Sequence, residues 1–192
     1  MTLGDDFGAT LSAAQAGAEW ALTSMYQDLH PLLLRYLKAQ DPREADDLAS
    51  ETWVHAASAL HRFEGDERDF RKWMFTIARR RLIDLRRRDA RRRTHAVPVE
   101  QLIELPDGGD VEVQAVDTVT AQAAIQRIVE LLPADQAEVV VLRIVAGLSA
   151  EEAGEVMGKR PGTIRVLQHR ALERLARDFA GAAVTGSPPQ AI

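Results

Sequence analysis

The 192-residue chain has no cysteine, which excludes disulfides, a thiolate metal site and an intrinsic thiol redox switch. It has no apolar run approaching the roughly 18 residues that a transmembrane helix needs. The first ten residues, MTLGDDFGAT, place acids where a secretory signal carries basic residues and then an apolar block, so a cytoplasmic protein is expected. The five histidines (His30, His55, His61, His95 and His169) are scattered. No two of them stand at i, i+3 or i+4 with a carboxylate partner, so each reads as a surface or capping residue rather than a metal ligand. A nucleophile–base constellation and a phosphate-binding loop are also missing, so neither an enzyme nor a cofactor is expected.

β-Branched alternating runs are few, whereas Ala, Leu, Arg and Glu dominate and the apolar spacing is helical nearly throughout, which predicts an all-α protein. A hydrophobic share of 46% is enough for packed cores. Residues from about Ala13 to Ala39 read as a first helical region bent at Pro31, its buried face formed by Trp20, Leu22, Met25, Tyr26, Leu29, Leu33, Tyr36 and Leu37. Asp41-Pro42 marks the following turn, with Asp41 expected to cap a helix that runs to about Leu60. A glycine-containing loop, 62–68, then leads into the most charged part of the molecule.

Between Arg68 and Arg93 stand 12 of the 24 Lys and Arg residues against three acids, a local charge of +9 in a chain whose total is −5. A basic stripe inside an acidic protein marks a polyanion-binding face. The stripe is periodic: Phe70, Trp73, Met74, Ile77, Ala78, Leu82 and Leu85 form an apolar seam, with Lys72, Thr76, Arg79, Arg80, Ile83 and Arg86 largely off it. An ordinary exposed helix interleaves both signs at i, i+4, and this one does not.

From Thr94 to Asp117 the character changes to six acids, two prolines, two adjacent glycines and no Lys or Arg, the composition of a flexible linker. It divides the chain into expected domains at 13–93 and 118–180, followed by a frayed tail at 181–192. The second domain is expected to hold helices at about 119–131, 134–146, 150–157 and 161–178. Ser149-Ala-Glu-Glu152 is a capping box, Gly158 a left-handed stop, and Pro161 suits the first turn of the next helix. Short helix, tight turn and longer helix make a helix-turn-helix. Its second helix should bury Ile164, Leu167, Ala171 and Leu175 and present Arg165, Val166, His169 and Arg170. Residues 158–177 carry a local +5, as a recognition helix entering a major groove would. Two basic elements joined flexibly gain avidity on one long polyanion.

The run Glu44-Ala-Asp-Asp-Leu-Ala-Ser-Glu-Thr-Trp53, with Leu60-His-Arg-Phe63 and Phe70-Arg-Lys-Trp-Met-Phe-Thr-Ile-Ala-Arg79, resembles region 2 of the extracytoplasmic-function (ECF) sigma factors of bacterial RNA polymerase. Leu132-Pro-Ala-Asp-Gln-Ala-Glu-Val-Val-Val-Leu-Arg143, Gly147-Leu-Ser-Ala-Glu-Glu152 and Gly162-Thr-Ile-Arg165 through Ala171 resemble region 4. The resemblance implies that Asp46, Asp47, Leu48, Ser50, Glu51 and Thr52 dock on the polymerase β′ clamp helices, with the β flap as a second polymerase contact. It implies that the loop at Phe63, Glu64, Gly65 and Asp66 captures a flipped base of the minus-10 promoter element. Lys72, Thr76, Arg79, Arg80, Ile83 and Arg86 would hold and read that element. Lys159, Arg160, Thr163, Arg165, Val166, His169 and Arg170 would meet the minus-35 element. Trp73-Met74 stands where housekeeping relatives carry an aromatic pair, and methionine is a poorer wedge between bases. Trp73 itself reads as core ahead of stacking platform. The linker's acids would mimic nucleic acid in the polymerase's RNA path. Val166 departs from the usual small polar residue and could meet a thymine methyl. Many members of the family are held inactive by an anti-sigma factor, a third partner that the resemblance implies beside polymerase and promoter DNA. The competing reading is a free-standing helix-turn-helix regulator.

Overall fold

The computed structural model describes residues 4–95 and 115–185, and every regular element within them is helical. A short 3-10 turn, Gly4–Asp6, leads into α1, Phe7–Gln15, which buries Phe7, Thr10, Leu11 and Ala14. The amphipathic period therefore starts earlier than the expected Ala13, and the first helical region is two helices. The break between them is Gly17, at φ +87°, a left-handed backbone that suits glycine. α2, Glu19–Gln40, then runs through Pro31 without stopping. Pro31 is exposed, so the ring that replaces its N–H lies on the side of α2 away from the core.

In α2 the residues Met25, Leu29, Leu33, Tyr36 and Leu37 are buried as expected, but Trp20, Leu22 and Tyr26 are 62%, 39% and 43% exposed. The core stripe is thus narrower than the apolar content of the helix. Asp41 accepts a bond from the Arg43 backbone N–H (3.3 Å) in a turn, and α3 begins only at Ala45, running to Ala59. A 3-10 turn, Leu60–Arg62, and a short loop join it to α4, Glu67–His95, a helix of 29 residues. Phe70, Met74, Ile77, Ala78 and Leu82 lie in the core, with Trp73 and Leu85 packed at its margin. Phe75, outside the expected seam, is fully buried against the Tyr36 ring (5.4 Å, edge-on).

The second unit comprises α5, Ala115–Leu131; α6, Ala134–Ile144; α7, Ala150–Met157; and α8, Pro161–Thr185. α5 starts inside the stretch expected to be linker, and α8 continues into the stretch expected to be tail; residues 96–114 and 186–192 lie outside the described residues. α6 and α7 pack on α8, while α2 and α4 of the first unit pack on α5, α6 and α7 of the second. One apolar cluster consequently extends from Phe7 through Tyr36 and Phe75 to Val139, Leu142, Met157 and Ile164. A smaller cluster of Leu132, Ala137, Val140, Ala171 and Leu175 closes the far side of α8. Among the described residues no helix is long and apolar enough to cross a membrane.

Candidate nucleic-acid and partner interfaces

The start of α4 is built by reciprocal capping. The Asp66 carboxylate accepts from the Asp69 backbone N–H (2.9 Å), and the Asp69 carboxylate accepts from that of Asp66 (3.4 Å). Gly65 precedes them at φ +148°, and a Cβ on it would lie 2.7 Å from the Asp69 Cβ. Gly65, Asp66 and Asp69 thus fix the direction in which the loop leaves α4. The loop frames an open cleft of about 570 Å³ lined by Arg62, Phe63, Glu64, Asp69, Lys72 and Trp73, with Ala59 at its edge. Trp73 is at once packed and accessible: its ring lies 5.1 Å from Phe63 and 5.8 Å from Phe70 while forming one cleft wall. Lys72 donates to Asp69 (3.2 Å), which holds the Asp69 carboxyl below its ordinary range, aided by the Asp66 backbone. The Lys72 ammonium is pushed up by its bond to Glu155 and then by Asp69, so it is firmly cationic. An aromatic wall, a cation and an open mouth can receive an unstacked base.

The remaining basic positions of α4 divide by environment. Arg80 is exposed and has no ion pair among the described residues. Arg86 is exposed but clasps the end of α2, donating to the Gln40 carbonyl (3.0 Å) and to its side-chain oxygen (3.2 Å). Ile83 and Thr76 are half-buried, and the Thr76 hydroxyl donates to the Lys72 carbonyl (2.8 Å). Arg79 is turned inward. Its Nε donates to Glu138 Oε1 at 2.8 Å and its Nη2 to Oε2 at 3.4 Å, and the same carboxylate accepts from the Tyr36 hydroxyl at 3.0 Å.

On α3, Asp46, Asp47, Ser50 and Glu51 are exposed, whereas Leu48 and Thr52 are core, at 3% and 0% exposure. The Thr52 hydroxyl donates back to the Leu48 carbonyl (2.7 Å). These two residues seat the helix rather than offering a surface, a correction that follows from the helical period. Val54, 72% exposed, continues the Asp47, Ser50 and Glu51 face one turn on. Beside it an apolar groove of about 440 Å³ opens between α2 and α3, lined chiefly by Leu22, Met25, Tyr26, Trp53, Val54 and Ala57. Tyr26 stacks on His30 (4.4 Å), and burial keeps that imidazole below its ordinary pKa despite Asp46. The Trp53 Nε1 is buried without a hydrogen-bond partner among the described residues. Sequence reading placed Trp20 and Tyr26 in the core and so missed this groove, which only tertiary packing distinguishes from a buried face.

The helix-turn-helix forms as its caps require. The Ser149 hydroxyl accepts from the Glu152 N–H, the Glu152 carboxylate accepts from the Ser149 N–H, and Gly158 closes α7 at φ +66°. Gly154 lies against the turn, where a Cβ would stand 2.7 Å from the Lys159 carbonyl oxygen. Ile164, Ala171 and Leu175 are buried and Leu167 half-buried, leaving Arg160, Thr163, Arg165, Val166, His169 and Arg170 exposed on α8. Lys159 pairs with Asp135 (3.1 Å), Arg165 with Glu151, and His169 lies near Glu173 (3.2 Å).

Two family models match the chain in register: sigma-70 region 2 over residues 25–92 and sigma-70 region 4 over residues 122–175. The ECF RNA polymerase sigma factor ShbA of Streptomyces griseus is 36% identical over 178 residues, covering 88% of this chain and 92% of the relative. The ECF RNA polymerase sigma factor SigD of Mycobacterium tuberculosis is 34% identical over 192 residues, covering 95% of this chain and 88% of the relative. Among solved structures, CnrH in complex with the cytosolic domain of CnrY superposes with a TM-score of 0.64 at 19% identity, covering 92% of this chain and 99% of that one. The sigma factor RpoE in complex with the anti-sigma factor NepR from Bartonella quintana gives 0.61 at 24% identity, covering 81% and 94%. At those identities the likeness is one of fold.

Proposed function

Because the chain belongs to the ECF group of the sigma-70 family of bacterial RNA polymerase sigma factors, we propose a division of its surface into three working faces, acting in the cytoplasm with polymerase. The protein is a transcription-initiation factor that binds core RNA polymerase and directs it to promoters. The first face is the α3 strip of Asp46, Asp47, Ser50, Glu51 and Val54, which docks on the polymerase clamp. Its acids steer a basic partner, while Val54 and the neighbouring groove supply the apolar contact. An acceptor from that partner would satisfy the Trp53 Nε1. An anti-sigma factor, such as NepR in its complex with the sigma factor RpoE, would compete for the same surfaces. The second face is the cleft under Phe63 and Trp73, which takes a flipped minus-10 base while Lys72 and Arg80 hold its backbone. The third is the outer side of α8, where Arg165, Val166 and His169 address bases and Arg160 and Arg170 address phosphates. The two units, 13–93 and 118–180, then correspond to minus-10 and minus-35 recognition.

The observation carrying this reading is the co-occurrence of both sigma regions, in order, on helices that leave the α3 acids and the α8 cations exposed. A stand-alone helix-turn-helix regulator would need only the second. The test is run-off transcription by bacterial core polymerase on fragmented genomic DNA with and without the protein, followed by sequencing of transcript starts. Starts sharing two upstream elements at fixed spacing are expected. Asp47→Lys should abolish the stimulation by weakening core binding in a pull-down while leaving duplex binding through α8 intact. Unchanged core binding would sink the docking assignment.

A further inference from the structure

The segment from Gly4 to Gln15 belongs to none of the three working faces, yet it ties down both ends of the loop between α3 and α4. At the near end the Gln15 Nε2 donates to two backbone carbonyls, those of Leu60 at 3.0 Å and Phe63 at 2.8 Å, 45 and 48 residues away in sequence. A carbonyl oxygen only accepts, so the NH2 side of the amide faces the loop and both of its hydrogens are used. The Leu60 carbonyl also accepts from the Phe63 N–H at 2.9 Å across the 3-10 turn Leu60–Arg62. Gln15 thus staples the carbonyl that opens this turn to the one that follows it. At the far end the Gly4 N–H donates to Glu67 Oε2 at 2.8 Å, on the first residue of α4, while Glu67 Oε1 accepts from Arg71 at 2.9 Å. Between the two ties a row of rings runs from α1 to the cleft wall: Phe7 lies 5.7 Å from Phe70, and Phe70 5.5 Å edge-on from Phe63.

We infer that Gln15 is a positioning residue for base capture, holding Phe63 and its side of the cleft in the receptive form before DNA arrives. The inference rests on the reading of that cleft as the pocket for a flipped minus-10 base. Phe63 to Asp66 lie outside any helix, so no helical ladder fixes them. A loop that samples several forms binds only through its competent fraction, and affinity falls about fivefold if one loop in five is competent. A tie on two backbone carbonyls removes that loss without touching the base. The effect belongs to the base and not to the phosphates. Lys72 and Arg80, assigned to the DNA backbone, stand on α4, whose start is fixed separately by the Asp66–Asp69 capping. Losing Gln15 should therefore blunt recognition of one base while leaving the electrostatic hold on the strand in place.

Two variants remove the donors at nearly constant size: Gln15→Met, and Gln15→Glu, which sets a carboxylate against the two carbonyls. Gln15 is exposed on the last turn of α1, so neither change opens a cavity in the core. Each protein is assembled with bacterial core polymerase. The holoenzyme is titrated with a fluorescent single-stranded oligonucleotide of the non-template minus-10 sequence from a promoter it transcribes, and with a series carrying one abasic position each. The unsubstituted protein should lose most affinity at one position, that of the flipped base. Gln15→Met should lower affinity for the intact oligonucleotide several-fold, and Gln15→Glu should lower it further. Affinity for the oligonucleotide abasic at the sensitive position should stay close to that of the unsubstituted protein, so that discrimination between the two collapses. Discrimination unchanged in both variants overturns the inference. An equal loss on both oligonucleotides, or loss of core binding in both variants, also overturns it and leaves Gln15 as a support for folding only. These failures differ from failure of the cleft reading, which shows in the unsubstituted protein as the lack of any sensitive position and takes the inference with it.

Discussion

Gly65 illustrates how one residue carries two constraints that a motif alone cannot separate. It stands in the loop that the family resemblance assigns to base capture, but its backbone at φ +148° and the 2.7 Å approach to the Asp69 Cβ explain glycine there without any ligand. Gly65→Ala should destabilise the fold by about 1–3 kcal/mol, the usual scale for a side chain forced into a sparsely populated backbone region. It should also displace Phe63 from the cleft. Chemical denaturation measures the first effect, and quenching of the Trp73 side by a single-stranded oligonucleotide measures the second. A stability unchanged from the parent would mean that the loop relaxes freely and that Gly65 is there for contact. The same distinction separates Leu48 and Thr52 from Asp46, Asp47, Ser50 and Glu51. All six are legible in the motif, and only helical phase decides that two of them face the core. Arg79 was legible as a cation on α4, but its partner Glu138 lies 59 residues away, a pairing that neither charge counting nor periodicity can reach.

Whether an element could be read depended on where its determinants lie. α7 and the start of α8 were legible because their caps are local: Ser149 with Glu152, Gly158 in the left-handed region, and Pro161 in a first turn. α1 was missed because no side-chain cap announces it, and its first turn has no acidic residue. It is held instead by Phe7 packing on Phe70 (5.7 Å), a contact spanning most of region 2. Pro31 does not end α2, because the proline faces solvent within a helix whose other side carries a buried stripe from Met25 to Leu37. Among these elements α7 is the most dependent on its cap, being eight residues long. Ser149→Ala should cost about 1 kcal/mol. Since α7 supports α8 through the Gly154 contact, duplex affinity should fall with it. Hydrogen exchange of the α7 amides reads the local opening, and protection equal to the parent's would show that tertiary packing alone holds the helix.

Across the whole molecule, a strongly basic helix and an acidic remainder find each other within one chain, since region 4 acids neutralise region 2 cations across a shared apolar core. Composition revealed the two charges but could not place them face to face. Tyr36 reports on that contact. It is fully buried, and its hydroxyl is raised well above the ordinary phenol value, first by burial and then by the Glu138 carboxylate, with Arg79 and Arg86 opposing. A phenol pKa higher in the buried state than in the exposed one contributes stability below about pH 10, lost as pH rises through the buried-state value. The contact of region 2 with region 4 should therefore persist through neutral and mildly alkaline solution and weaken progressively above about pH 10. The chain has two tyrosines, so tyrosinate absorbance on alkaline titration should rise in two steps, the later one from the buried Tyr36. Removing the carboxylate by Glu138→Gln should move the later step down, because the second-largest cause of the shift disappears while burial remains. A later step that ignores Glu138 would mean that Tyr36 is sealed by the α2–α4 packing of region 2 alone and that Glu138 is a passenger at the contact.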